Sequence, residues 1–230
     1  LSEDWPPGPE RGVVEAGEVH VWRARLDGPG PGLEGLPASE RGRAASFLRD
    51  DAAGRWVASR WALRRVLSRY LDEPAAEIEL ELGENDKPQL ADPSSGLRFN
   101  LSHSGDLALV AVARDREVGV DVEEIEPARD LLALAERALA PDAVAAIRAA
   151  APANRPLAFH RAWTRHEARL KCLGIGLGSK DPGDPVALAD LEVGQGRAAA
   201  VAGRGPELKA LRCWTLAPRH GCSPVNSSAP

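Results

Sequence analysis

Cysteine is scarce in this sequence and poorly spaced for crosslinking: Cys172, Cys213 and Cys222 are odd in number and form no CxxC pair. That argues against a disulfide framework or a structural zinc site and leaves free thiols as the expectation. No apolar run is long enough to cross a bilayer, and no membrane association is expected. The opening LSEDWPPGPE lacks the basic and apolar regions of a secretory signal, so a cytoplasmic location is expected. The chain starts at Leu1 rather than methionine, as a processed or trimmed one would. A formal charge of −5 speaks against general nucleic-acid binding. Neither a short repeat nor a G-x-S-x-G nucleophile elbow is present.

What is present suits a folded protein. At 230 residues, 43% of them hydrophobic, the chain can bury one large core or two small ones. EVHVWRARL reads as a strand. Residues 38–71 read as helical with a break near Asp50–Gly54, and Trp56, Leu63, Leu67 and Tyr70 share one face. A meander follows, with alternation at Ile78, Leu80 and Leu82 and at Leu97, Phe99 and Leu101, then a buried strand in LALVAVAR and a further strand in VGVDVE. Ala- and Leu-rich helices fill roughly 128–150 with Pro141 as a helix start, and a stronger helix spans about 156–173. LGIGLGSKDPGDP reads as a loop, two or three strands lie between 186 and 216, and the tail GCSPVNSSAP reads as disordered. Helices mixed with strand meanders predict an α+β fold rather than a doubly wound sheet.

Charge is unevenly distributed. Between Glu40 and Tyr70 eight arginines face three acids, which suits a polyanionic small molecule or an acidic partner, or equally a solvated helix face. In VGVDVEE, three valines alternate with Gly119, Asp121 and Glu123, the pattern of a strand with one buried face. Asp121 and Glu123 then stand side by side and repel, unless a cation lies between them. In RPLAFHRAWTRHEARLKCLG, Phe159, Ala162, Trp163, Leu170 and Leu173 make an apolar stripe with Glu167 and Lys171 at its edge. That spacing is either an ordinary i,i+4 pair or a carboxylate leaning into a cleft. Asp121, Glu123 and Glu167 together would offer the oxygen ligands that Mg²⁺ prefers. In NLSHSGD, neighbouring Ser102, His103 and Ser104 point to alternate faces, which disfavours a nucleophilic pair and suits phosphate contacts. Lys87, after a turn, is a further candidate phosphate contact. Gly119, on the face of the acids, leaves room for a ligand to approach.

KPQL, FNLSHSGD, VGVDVEEIE and WTRHEARLKCLGIGLG, in this order and spacing, resemble the 4′-phosphopantetheinyl transferases of the surfactin-synthetase-activator (Sfp) type. The segment ERGRAASFLRDDAAGRWVASRWALRRVL is similar to the first helical region of that family. The resemblance implies two similar α/β subdomains related by a pseudo-twofold axis, with the active site in the cleft between them. Their expected extents are 1–116 for coenzyme A nucleotide contacts and 117–218 for metal ligands and the catalytic helix, with a disordered tail at 219–230. It implies transfer of 4′-phosphopantetheine from coenzyme A to a serine of an apo carrier protein, releasing adenosine 3′,5′-bisphosphate, by a cytoplasmic monomer. Carried onto this chain, Asp121, Glu123 and Glu167 match Mg²⁺ ligands, and Glu167 and Lys171 match catalytic groups. Lys87, Ser102 and His103 match coenzyme A contacts, His103 facing the 3′-phosphate, and Arg43 and Arg55 match basic contacts to the nucleotide phosphates. The base that activates the carrier serine is Glu167 or a metal-bound water.

Two departures stand out. His166 occupies the lysine position of the W-x-x-K-E pattern, and Ala143, beside Asp142, stands where many members carry a glutamate. They motivate a rival reading as a carrier-binding module with impaired turnover. A second rival is another Mg²⁺-dependent enzyme of nucleotide diphosphates.

Overall fold

The computed structural model describes residues 4–27, 32–33, 36–47, 50–83, 85, 87–126, 130–176, 178 and 182–217. Most of the Pro/Gly-rich stretch at 28–32, much of the loop at 177–181 and the tail at 219–230 lie outside the described residues. In chain order the elements are β1 (Glu18–Arg25), α1 (Ala38–Ala45), α2 (Asp50–Leu71), β2 (Leu80–Leu82), β3 (Pro88–Leu90), β4 (Leu97–Ser104), β5 (Leu107–Arg114) and β6 (Val118–Glu124). They continue with α3 (Leu131–Ala138), α4 (Pro141–Ala149), α5 (Arg155–Leu173), β7 (Val186–Asp190), β8 (Arg197–Arg204) and β9 (Ala210–Thr215). The fold is α+β. Among the described residues no helix is long and apolar enough to cross a membrane.

Two sheets carry the architecture, one ordered β4-β5-β1-β9 and the other β6-β8-β7. Pairing is antiparallel except between β1 and β9, which run parallel. Strand β9 falls within the segment 117–218 yet completes the sheet built by the first half of the chain. Strand alternation assigns the faces. Val19, Val21, Leu109 and Ala111 meet Val118, Val120, Val122, Ala199 and Val201 in a core between the sheets. The intervening side chains Trp22, Val110 and Val112 turn the other way, where Phe99 and Leu63, Val66 and Leu67 of α2 close a second core. Helix α5 covers the far side of β6 and β8.

Helix α2 departs from the expected break. It runs unbroken through Gly54, and the interruption lies between Ala45 and Asp50 instead. Glycine in a helix interior costs about 1 kcal/mol relative to alanine. Gly54 is exposed, and the 22-residue helix has buried Leu63, Val66 and Leu67 to offset that cost.

Two arginines of the arginine-rich segment do not lie on a solvated face. Arg60 and Arg64 are buried, and both guanidinium groups donate to the buried carboxylate of Glu40, while Arg64 also caps the carbonyls of Ala75 and Ile78. Burial alone would raise the Glu40 pKa, but Arg64 and Arg60 hold it below the ordinary carboxylate range. This network ties α1 to α2 and removes two of the cations that composition offered for binding.

Candidate active site

The face of β6 that bears Gly119, Asp121 and Glu123 is not open to water as the alternation suggested. Val118, Gly119, Val120, Asp121 and Val122 are all buried, because α5 lies directly on that face. A Cβ built on Gly119 would sit 2.1 Å from the carbonyl oxygen of Ala168 and 2.4 Å from the amide nitrogen of Cys172. Gly119 therefore admits the helix backbone rather than a ligand, which corrects the sequence expectation. Small residues opposite do the same work, since Ala200 and Ala202 of β8 pack against Ala168 and Cys172. The apolar stripe of α5 is a separate surface, with Phe159, Ala162 and Trp163 packing against α3 and α4. Pro156 opens the helix, and Gly174, left-handed at φ 69°, closes it just past Lys171. Glu167 and Lys171 are thereby fixed over the end of β6.

Strand β6 is an edge of its sheet, and edge N–H groups need partners. Strand β4 supplies them from side chains. Asn100 Oδ1 accepts from the amide of Val120, and Ser104 Oγ accepts from the amide of Glu124. Ser104 in turn donates to Glu123 Oε2 at 3.2 Å. Between these two contacts Ser102 Oγ donates to Asp121 Oδ1 at 2.9 Å. Lys171 Nζ donates to the same Asp121 oxygen at 2.6 Å and to Ser102 Oγ at 3.1 Å. The roles of Asn100 and Ser104 were not anticipated. The signal was available: a strand whose one face reads Asn, Ser, Ser is built to hydrogen-bond a neighbour rather than to pack.

The carboxylates are crowded and short of partners. Asp121 is 2% exposed, and its second oxygen, Oδ2, makes no hydrogen bond. Oε1 of half-buried Glu167 is also buried without a partner. Burial raises the pKa of Asp121 against the opposing pull of Lys171. Burial and then the Asp121 charge raise those of Glu123 and Glu167. Orphaned anionic oxygens whose charges act on one another are what a cation would satisfy. Among the described residues, however, no three acidic, His or Cys side chains stand close enough together to cage a metal ion.

On the other side of β4 the alternate residues line a cavity of about 460 Å³. Its walls are Trp56, Leu80, Leu82, Pro88 and Leu101, and its polar groups are Arg43, Ser59, His103, Glu81 and the paired Glu40 and Arg60. His103 is solvent-exposed on this side. The protein packed around the rest of its ring, and then the charges of Lys171 and Arg55, hold its pKa below the usual range. Arg55, 3.0 Å from Asp51 in an i,i+4 pair, is near enough for its charge to be felt at His103. Lys87 is not on this cavity. Its ammonium bonds Glu117 Oε2 at 2.8 Å and the carbonyl of Val118, on the flank of a neighbouring depression. His166 is half-buried beside Trp163, ring centroids 6.4 Å apart, and Ala143 lies in α4 next to exposed Asp142.

The chain thus presents acid–lysine chemistry on one side of β4 and, on the other, a cavity walled by apolar side chains that carries Arg43 and His103. Comparison with known families places this arrangement. Residues 117–222 match the model of the 4′-phosphopantetheinyl transferase superfamily, and residues 22–115 match that of the 4′-phosphopantetheinyl transferase N-terminal region. The 4′-phosphopantetheinyl transferase HetI of Nostoc sp. is 37% identical over 183 residues, spanning 77% of this chain and 77% of that protein. A phosphopantetheinyl transferase of Thraustochytrium sp. is 34% identical, over 70% of this chain and 62% of its own length. The AcpT transferase of Salmonella typhi is 37% identical over 52% of this chain and 58% of that protein. Two matched regions that abut near residue 116, and a relative aligned over three quarters of both chains, place this protein in the 4′-phosphopantetheinyl transferase superfamily.

Proposed function

We propose that this transferase moves 4′-phosphopantetheine from coenzyme A to a serine of an apo carrier protein, as a Mg²⁺-dependent, monomeric, cytoplasmic enzyme of the Sfp type. The observation that carries the reading is the pair of orphaned carboxylate oxygens on Asp121 and Glu167, set beside Lys171 and one strand away from a cavity that carries Arg43 and His103. The donor chemistry fits the metal: hard oxygens, excess negative charge and no soft ligands. Asp121, Glu123 and Glu167 would hold it. When bound, Mg²⁺ supplies neutralisation of the diphosphate charge, the main requirement of phosphoryl transfer.

The chain's own residues have separable tasks. The cavity takes the nucleotide half of coenzyme A, with Arg43 and Arg55 balancing phosphate charge and His103 meeting the 3′-phosphate. Ser102 orients Asp121 and Lys171. The carrier serine oxygen attacks the phosphorus bearing the pantetheine, and the bond to the bridging oxygen breaks. The serine proton passes to Glu167, the carboxylate that α5 sets beside Asp121 and Lys171. Lys171 meets the charge on the departing adenosine 3′,5′-bisphosphate. Lys87, held by Glu117, contributes only if coenzyme A competes for its ammonium.

The test is direct. Incubation with coenzyme A, Mg²⁺ and apo carriers from fatty acid, polyketide and nonribosomal peptide systems should yield a phosphopantetheine adduct by mass spectrometry. No adduct on any carrier would sink the reading. Carrier binding without an adduct would favour a docking module, and coenzyme A breakdown without a carrier would favour a hydrolase.

A pH dependence follows from His103. Its lowered pKa leaves it neutral at pH 7 in the free protein. A bound phosphate dianion favours imidazolium, so binding takes up a proton and weakens as pH rises, by at most about tenfold per pH step of one. The KM for coenzyme A should therefore rise between pH 6 and 8, and His103→Asn should flatten that rise. A wild-type KM independent of pH across this range would remove His103 from the phosphate.

A further inference from the structure

One arrangement accounts for the position of Lys171 and for the lack of a ready-made ion cage among the described residues. We propose that Lys171 is the resident counter-cation of the carboxylate site, holding Asp121 in place of a divalent metal until the diphosphate draws the ammonium away. The proposal rests on the metal reading above and extends it to how the site fills. The ammonium sits 2.6 Å from Asp121 Oδ1 and 3.1 Å from Ser102 Oγ, tethered at the end of a helix whose backbone is pinned on Gly119. Asp121 Oδ2 and Glu167 Oε1 remain without a hydrogen bond from it. Asp121 is buried, so its charge needs a compensating cation at all times, and Lys171 is the cation in contact with it.

A divalent ion entering this site meets Lys171 as a like charge at close range. Metal affinity in the free protein is then low. It rises when phosphate oxygens offer the ammonium an alternative anion. Lys171 has the means to move: its side chain is 30% exposed, and four methylenes let the ammonium swing out while α5 stays fixed. Binding of metal and diphosphate becomes mutually dependent through one side chain, in addition to their direct contact. Such an arrangement keeps the carboxylates paired in the resting protein and assembles the ligand set only when substrate is present.

The experiment titrates the free protein with Mn²⁺ and reads the unbound ion by electron paramagnetic resonance, without coenzyme A. Lys171→Met should bind one Mn²⁺ at least about tenfold more tightly than wild type. Lys171→Arg, which keeps the charge, should bind as weakly as wild type. The gain should vanish in the double variant Lys171→Met with Asp121→Asn, which ties the ion to these carboxylates. Thermal melts of all variants establish that each is folded. Equal affinity in Lys171→Met and wild type, where wild type does bind Mn²⁺ in the presence of coenzyme A, overturns this proposal alone. No Mn²⁺ bound by any of these proteins, with or without coenzyme A, overturns the metal reading and this proposal together. Tight binding that survives the double variant places the ion elsewhere and also overturns it.

Discussion

Asp121→Asn should lower transfer to the carrier by about 10²- to 10³-fold, the range found when one preorganised electrostatic group is removed from a reacting site, while leaving the fold intact. The two expectations have separate physical origins. Asparagine keeps the Oδ1 acceptor, so Ser102 and Lys171 retain their partner on β6. It removes a buried charge whose pKa is already raised, so the variant loses one ion pair but also relieves repulsion with Glu123 and Glu167. The melting midpoint should shift by no more than a few degrees, about 2–4 °C for each kcal/mol in a chain of this size. Activity suffers because the free oxygen Oδ2, the one atom of Asp121 not committed to the protein, becomes an amide donor. Asp121→Ala loses the acceptor as well and should be equally inactive. The measurement is the mass gain of a carrier over time at saturating Mg²⁺, alongside a thermal melt. A folded Asp121→Asn protein that retains more than about a tenth of wild-type turnover would falsify the assignment of Asp121 to the site.

Much of the fold was legible because it rests on local periodicity. The alternation in β4 and β6, the apolar run of β5, Pro141 at the start of α4 and Gly174 at the end of α5 are each decided by a few neighbouring residues. What was not legible depends on partners distant in sequence. The return of β9 to pair with β1 joins residues nearly two hundred positions apart, and nothing in ALRCWT specifies that partner. The arginines of α2 read as available charge because Glu40, which neutralises Arg60 and Arg64, lies in another helix. Break and helix were misjudged at Gly54 because propensity is weak beside the burial of Leu63, Val66 and Leu67.

The site follows the same division. The resemblance drew attention to Asp121, Glu123, Glu167 and Lys171, and the structure gathers Asp121 and Lys171 into contact with both glutamates close enough to be felt. It also shows why one short motif can serve two compartments. In β4, Asn100, Ser102 and Ser104 reach toward β6, while Leu101 and His103 line the cavity. The period of two is what lets FNLSHS hold the carboxylates with one face and present an imidazole to the cavity with the other. Lys87 shows where motif and geometry separate, since its neighbour Glu117 takes the ammonium and nothing in KPQL signals that pairing.

Gly119→Ala should be among the most damaging single substitutions in the chain, although it adds one methyl group and touches no proposed reacting atom. The added Cβ would lie 2.1 Å from the Ala168 carbonyl oxygen, 2.4 Å from the Cys172 amide nitrogen and 3.1 Å from the Cys172 Cα. All three are backbone atoms in the last turns of α5, so no side-chain rotation relieves the clash. The helix must lift from β6, or the strand must bow away from β8. Overpacking of this kind costs about 1–3 kcal/mol, and a contact against two backbone groups belongs at the upper end or beyond. The melting midpoint should fall by about 6–12 °C for a loss of 3 kcal/mol. Because Glu167 and Lys171 ride on the same stretch of helix, activity should fall more steeply than the folded fraction does. Errors in placing catalytic groups by about 1 Å can cost about a hundredfold. Assays at 10 °C, where the variant is mostly folded, separate the two effects. Wild-type stability in Gly119→Ala would mean that α5 does not sit on β6 as described. Lowered stability with undiminished turnover of the folded fraction would mean that the reaction does not depend on the position of Glu167 and Lys171 over Asp121.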